Sequence, residues 1–332
     1  MDIRNRKHLH KVAANRLERA QQKKQIILTY TLISLGLSTV VTVCTYFLGN
    51  QISQTGGLRN MGLRSILSTL DTLLPILQSL ALLCLELGFL NAMIRISRGL
   101  YTSVQSLRAG FSRFWAAIRC SLLISLRYVI AGMASFYLAL MIFGLTPLSN
   151  RAMEILVPIA EQMTVMTAEP VIDEATVLAL GDAMIPFFVL FAIVAAVMVV
   201  PMYYRYRLVN YIIMDKPDCG ALRAINESRL LMRGNCFALF RLDLSLWWYY
   251  LLAAAATAIC YGDAIFAMLG IPLPWSQDVS YWLSYALFVA AQFLICYFFG
   301  NQVGVTYALA YEALKPKEEE SGGVVLGNIF QT

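Results

Sequence analysis

Histidine is almost absent from this chain: 332 residues contain two, His8 and His10, both in a basic stretch at the N-terminal end. No imidazole is left elsewhere for a nucleophile–base pair or a Cys/His zinc set. The HExxH, GxSxG and P-loop patterns are also missing. No catalytic residue, metal site or cofactor is therefore expected, and the chain does not read as an enzyme. Seven cysteines are scattered without a CxxC pair, which is no disulfide framework. They read as small apolar packing residues. Charge is scarce too, at 14%, where a soluble domain carries about 25%.

What the chain has in excess is apolar surface. Hydrophobic residues make up 59% of it, with a mean hydropathy of +0.64. A bilayer crossing takes roughly 20 mostly apolar residues, because the hydrocarbon layer is about 30 Å thick and a helix rises 1.5 Å per residue. Six stretches qualify: Ile26–Leu48, Leu70–Ile94, Ile118–Phe143, Met184–Tyr203, Phe237–Tyr261 and Tyr281–Ala310. Backbone groups in lipid must bond internally, so each should be a helix. The fold expected is all-α, one polytopic bundle of six transmembrane helices over residues 25–314. It is flanked by a basic amphipathic segment, 1–24, and a disordered tail, 315–332. The first stretch is too long, and its basic flank too extended, for a cleavable signal.

Lysine and arginine alternate between the segments joining these stretches. Successive segments hold eight, two, five, one, seven, none and two, with Arg127 inside a span. The positive-inside rule puts the rich segments, and so both ends of the chain, in the cytoplasm of a cell-membrane protein. The net charge of +6 then belongs to the cytoplasmic face. It suits anionic lipid rather than nucleic acid. The partners expected are membrane lipids, with a membrane-protein partner or a second copy of the chain also possible for such a bundle.

Short amphipathic helices are expected before each inward-starting span. Leu9, Val12, Ala13 and Leu17 recur at helical spacing, as do Val104, Leu107 and Phe111, and Ala221, Leu222, Ile225, Ser228 and Met232. Such helices lie in the headgroup plane. Asp218 is the N-cap expected for the last of them and Gly234 its C-terminal stop. Between the third and fourth spans, Ala152, Ile155, Leu156, Ile159, Met163 and Met166 mark another helix, too charged to be a crossing.

Two charges lie within spans. Glu86 and Arg127 each stand eight or nine residues from a flanking arginine, so both are about 12–13 Å deep. Equal depth and opposite sign suggest an intramembrane charge pair, which could be structural or could serve a ligand or ion. A small carrier built on these two charges is the alternative to a lipid- or partner-engaging protein. For the latter, Arg205, Arg207, Arg223, Arg229 and Arg233 form a basic cluster suited to a phospholipid headgroup. Gly300 and Gly304 have GxxxG spacing and suit close helix packing.

The run from Val200 carries a recognisable pattern. Pro201 precedes a Tyr/Arg cluster, Tyr203 to Arg207, and Asp215, Pro217 and Asp218 make a turn. A helix follows with Ala224, Ile225, Ser228, Arg229, Met232 and Gly234, and then Phe240, Leu242, Asp243, Leu244 and Ser245. Arg98-Gly99, Gly110-Phe111 and Tyr311-Glu312 fit the same pattern. It resembles the bacterial integral-membrane family known as domain of unknown function nine-seven-five. Two departures stand out: Asn235-Cys236 replaces a usual His-Lys, and Arg241 intervenes after the Phe. The resemblance implies a six-helix membrane protein and no particular activity.

Overall fold

The computed structural model describes residues 5–20, 22–54, 61–164, 174–262, 265 and 276–315. The tail expected to be disordered lies outside them except for Lys315, as do Arg59 and Met166. All regular structure among the described residues is helical.

The elements in chain order are α1 (Arg6–Arg19), α2 (Lys23–Gln54) and α3 (Met61–Ser97). A 3₁₀ turn, Val104–Arg108, runs into α4 (Ala109–Ser112). Then come α5 (Phe114–Gly144), α6 (Leu148–Thr164), α7 (Glu174–Tyr206), α8 (Val209–Asp215) and α9 (Ala221–Met232). Last are α10 (Cys236–Ser245), α11 (Trp247–Cys260), α12 (Gln277–Ile295), a π turn (Cys296–Gly300) and α13 (Asn301–Leu314).

Five stretches are long and apolar enough to cross a membrane: Lys23–Gln54, Gly62–Ser97, Phe114–Gly144, Leu178–Asp215 and Asp278–Leu314. A sixth exists if α10 and α11 count as one, but they are bent by 64°. The continuous span expected over Phe237–Tyr261 is thus corrected to two helices that meet at Leu246. At the junction Arg6 donates to Arg241 O at 3.3 Å and Ser245 Oγ to Leu242 O at 2.6 Å. The Leu246 amide turns back to Asp243 O at 2.9 Å, a tighter turn than the α-helix makes.

The chain forms two compact units, one of Met1–Cys120 with Leu208–Thr332 and one of Ser121–Arg207. In the first, burial concentrates around α13, where Val305, Thr306, Ala308, Ala310 and Tyr311 are wholly enclosed. Leu9, Ala13 and Leu17 of α1 are buried as α1 packs on α13. Ala224, Ile225, Ser228 and Met232 form the buried face of α9, which packs on α8. These faces are covered by protein, but Leu222, expected on the inner stripe of α9, is 61% exposed. The long helices are dressed differently. Leu32, Ile33, Val40 and Phe47 of α2 and Leu63, Ile66, Leu73 and Leu77 of α3 are exposed. Apolar surface this extensive suits lipid rather than water.

Glycine sets the closest approaches. A Cβ at Gly88 would stand 2.0 Å from Leu107 O, and one at Gly110 1.9 Å from Cys84 O. The two glycines thus let the 3₁₀–α4 segment lie directly against the α3 backbone. Where Asp218 was expected to cap α9, the N-cap is Gly220, with no side-chain bond. The Lys216–Cys219 turn, closed by Cys219 N to Lys216 O at 3.1 Å, ends before that helix begins. Gly234 follows the C-cap Arg233 with φ +80°, a left-handed stop that glycine adopts without strain.

The second unit has its own core of Ala139, Phe143, Ala152 and Phe187. Phe187 meets Phe136 and Phe143 edge-on, with centroids 5.5 and 5.7 Å apart. Its α6 is the helix expected between the third and fourth spans. It packs on α7 and turns Ala152 inward.

Candidate functional site

Three helix ends converge in the first unit. At the first, α3 closes with Gly99 at φ +74°. Gly99 N bonds Ile96 O and Leu100 N bonds Arg95 O, both at 2.9 Å. This is the paired bonding of a Schellman stop, and it leaves Arg98 as the last side chain of the helix. At the second, Asp215 ends α8, and Pro217 two residues on cannot continue it. Arg113 Nη1 donates to Pro217 O at 2.7 Å and pins the turn. At the third, Tyr311 and Glu312 lie in the last turn of α13, followed by Lys315.

Arg98 joins these ends. Its Nε donates to Glu312 Oε1 at 2.8 Å and its Nη2 to Asp215 Oδ1 at 2.5 Å. The other Asp215 oxygen accepts from Tyr311 Oη at 2.9 Å and from Lys315 Nζ at 3.0 Å. The Asp215 side chain is only 4% exposed. The Tyr311 ring stacks on Tyr211 of α8, centroids 5.6 Å apart. Two carboxylates meet two cations, so the cluster around the buried Asp215 is neutral as a whole. Both Asp215 oxygens are engaged, which makes the cluster a latch among α3, α8 and α13 rather than a free base.

One turn earlier on α13 a second chain of bonds repeats the theme. Tyr307 Oη donates to Asp243 Oδ1 at 2.7 Å. Its proton is thereby committed, so Tyr250 Oη, 2.6 Å away, is the donor to Tyr307. Tyr307 and Tyr311, four residues apart on one face, thus hold a carboxylate from α10 and one from α8.

The family described as "Protein of unknown function (DUF975)" matches residues 1–317. The chain belongs to this family. No curated protein and no solved structure matches it. Membership in DUF975 assigns no activity. Three motif pieces that the sequence shows separately, Arg98-Gly99, Asp215 and Tyr311-Glu312, are brought together here in one contact network.

The residues singled out from sequence are distributed as follows. Glu86 lies on α3 in the first unit, exposed on the protein surface, with Tyr30 of α2 near it. Arg127 lies in the second unit. It donates to Tyr206 Oη at 3.0 Å, its guanidinium 5.3 Å from that ring's centre. Arg223, Arg229 and Arg233 are exposed on and beside α9. Arg205 and Arg207 end the second unit, Arg207 over the rings of Tyr203 and Tyr204 at 5.3 and 5.9 Å. A methyl on Gly300 would stand 2.9 Å from Ile27 Cδ1, and one on Gly304 2.9 Å from Met93 Cγ. The two glycines therefore sit where α13 and the π turn meet α2 and α3.

Sequence reasoning missed the role of Asp215, read as a turn residue, and those of Tyr307 and Lys315. The signal available was Tyr307 and Tyr311 at a four-residue interval in an apolar helix. Among the described residues, no group of three His, Cys, Asp or Glu side chains is placed to hold a metal ion. Burial, reinforced by Glu227, pushes the Cys219 thiol up from its usual range, so at neutral pH it stays protonated and weakly nucleophilic.

Proposed function

We propose that this DUF975 protein is a non-enzymatic, six-span protein of the cell membrane, with both ends of the chain cytoplasmic, whose basic face engages anionic lipid or a membrane partner. The observation that carries the reading is α9. Its inner face is locked into the protein by Ala224, Ile225, Ser228 and Met232, while Arg223, Arg229 and neighbouring Arg233 are exposed. Exposed guanidiniums on a helix held fast by its other face suit phosphate recognition. The latch holds the end of α8, on which α9 packs.

The test is lipid association of full-length protein in nanodiscs of mixed phosphatidylglycerol and phosphatidylcholine. Reversing Arg223, Arg229 and Arg233 to Glu should cut enrichment of the anionic lipid and its salt dependence. Unchanged enrichment would sink the reading. The second reading is a carrier using Glu86 and Arg127. It is favoured by the ionisable Glu86 within an apolar helix, a placement that marks functional sites. Flux lost in Glu86→Gln, with lipid enrichment intact, would move the assignment there.

A further inference from the structure

A cleft of about 440 Å³ opens where α1, α2 and the π turn meet. Glu18, Lys23, Lys24, Asn301 and Gln302 supply its polar lining. Leu17, Ile27 and Phe298 supply an apolar side. Both lysines fall in the first turn of α2, a 32-residue helix with no acidic residue in that turn. The helix dipole already makes this end positive. Two ammonium groups there raise the local charge further, and Glu18 offsets only one of them. The arrangement is favourable when an anion is present.

Asn301 makes the site a built one. It is 9% exposed, and its Nδ2 donates to Lys23 O at 3.0 Å. That bond ties the start of α2 to the start of α13 and fixes which way the amide faces. Its Oδ1 is buried and lacks a protein partner. An unmet buried acceptor calls for a donor. Position identifies the ligand. Below the cleft the helices expose Leu28, Leu294 and Phe298, the last at 64%. Above it α13 is enclosed by protein. The cleft therefore lies where lipid-facing surface gives way to packed protein.

We infer that this cleft binds one glycerophospholipid whose headgroup carries a phosphate and a hydroxyl donor. The phosphate sits on Lys23 and Lys24, the donor turns toward the Asn301–Glu18 side, and the first acyl carbons lie over Ile27 and Phe298. The inference rests on the membrane reading above but uses a different site from the α9 arginines.

Native mass spectrometry of the full chain, released from nanodiscs of phosphatidylglycerol and phosphatidylcholine, tests it. Wild type should retain one phosphatidylglycerol. Neutralising both lysines, Lys23→Gln with Lys24→Gln, should weaken retention about thirtyfold, as expected for two interfacial lysines. Lys23→Arg with Lys24→Arg should keep it, which separates lost charge from lost folding. Retention unchanged in the glutamine variant overturns the inference. If retention is then lost in the α9 charge-reversal variant instead, the broader reading survives. If wild type retains no phosphatidylglycerol, both fall. Inorganic phosphate adducts without lipid mass would overturn the lipid assignment alone.

Discussion

Tyr311 donates its hydroxyl to the buried carboxylate of Asp215 across 2.9 Å, although 96 residues separate the two in sequence. The ring is fully enclosed and the carboxylate nearly so. With Arg98 and Lys315 on the same carboxylate, this bond ties the last helix to α8 and to the end of α3. Its energetic weight can be measured. Tyr311→Phe removes one donor to a charged group and should cost about 1.5–3 kcal/mol. Asp215→Ala strips Arg98 and Lys315 of a shared partner and should cost about 1.5–3 kcal/mol, since both cations keep contact with solvent. The double variant should lose less than the sum, because both changes act on one network. Thermal or denaturant unfolding in detergent reads all three, and strictly additive losses would argue against a coupled latch.

Glycine positions should split sharply by surroundings. Gly110→Ala places a methyl on a main-chain oxygen of α3 and should cost about 3 kcal/mol or prevent folding. Gly88→Ala should behave alike. Gly132→Ala, in α5, meets nothing within 4 Å. It should be neutral or add up to about 1 kcal/mol through helix propensity. Expression level and unfolding temperature of the three variants check this, and equal damage at all three sites would contradict the packing described.

The docking of α1 should weaken in mild acid. His10 shares a 3.0 Å hydrogen bond with Ser245 of α10. Burial, and then the nearby Arg6 charge, hold its ring below the ordinary value of 6.5. The unfolded chain therefore takes up a proton before the native one does. Stability tied to neutral His10 is present above 6.5 and drains away as the pH falls from there toward the lower native value. Protection factors of α1 amides, corrected for intrinsic rates, should fall on passing from about pH 7.5 to about pH 5.5, and His10→Gln should flatten that response.

The Tyr250–Tyr307–Asp243 chain braces the region of the 64° bend. Tyr307→Phe deprives Asp243 of its donor and breaks the relay to Tyr250. It should destabilise by about 1.5–3 kcal/mol and raise exchange in α10 more than in α2. Uniform exchange changes across the chain would show that the bond has no local role.

The amino-acid order by itself determined the long apolar helices, because their hydrogen bonds close within a few residues and much of their apolar surface is left exposed, with no partner from afar. It also placed α1 and α9 with their inward stripes, since a 3.6-residue period is a local property. The Arg-Gly, Asp and Tyr-Glu motif pieces were visible for the same reason, as separate marks along the chain. Only the tertiary structure decided what they do. Arg98 reaches Asp215 and Glu312 across 117 and 214 residues, a meeting set by how α3, α8 and α13 pack. The break at Leu246 escaped the sequence because its hydropathy stays high. Arg6, 235 residues away, bonds Arg241 O beside the junction, and no pattern within the span records that contact.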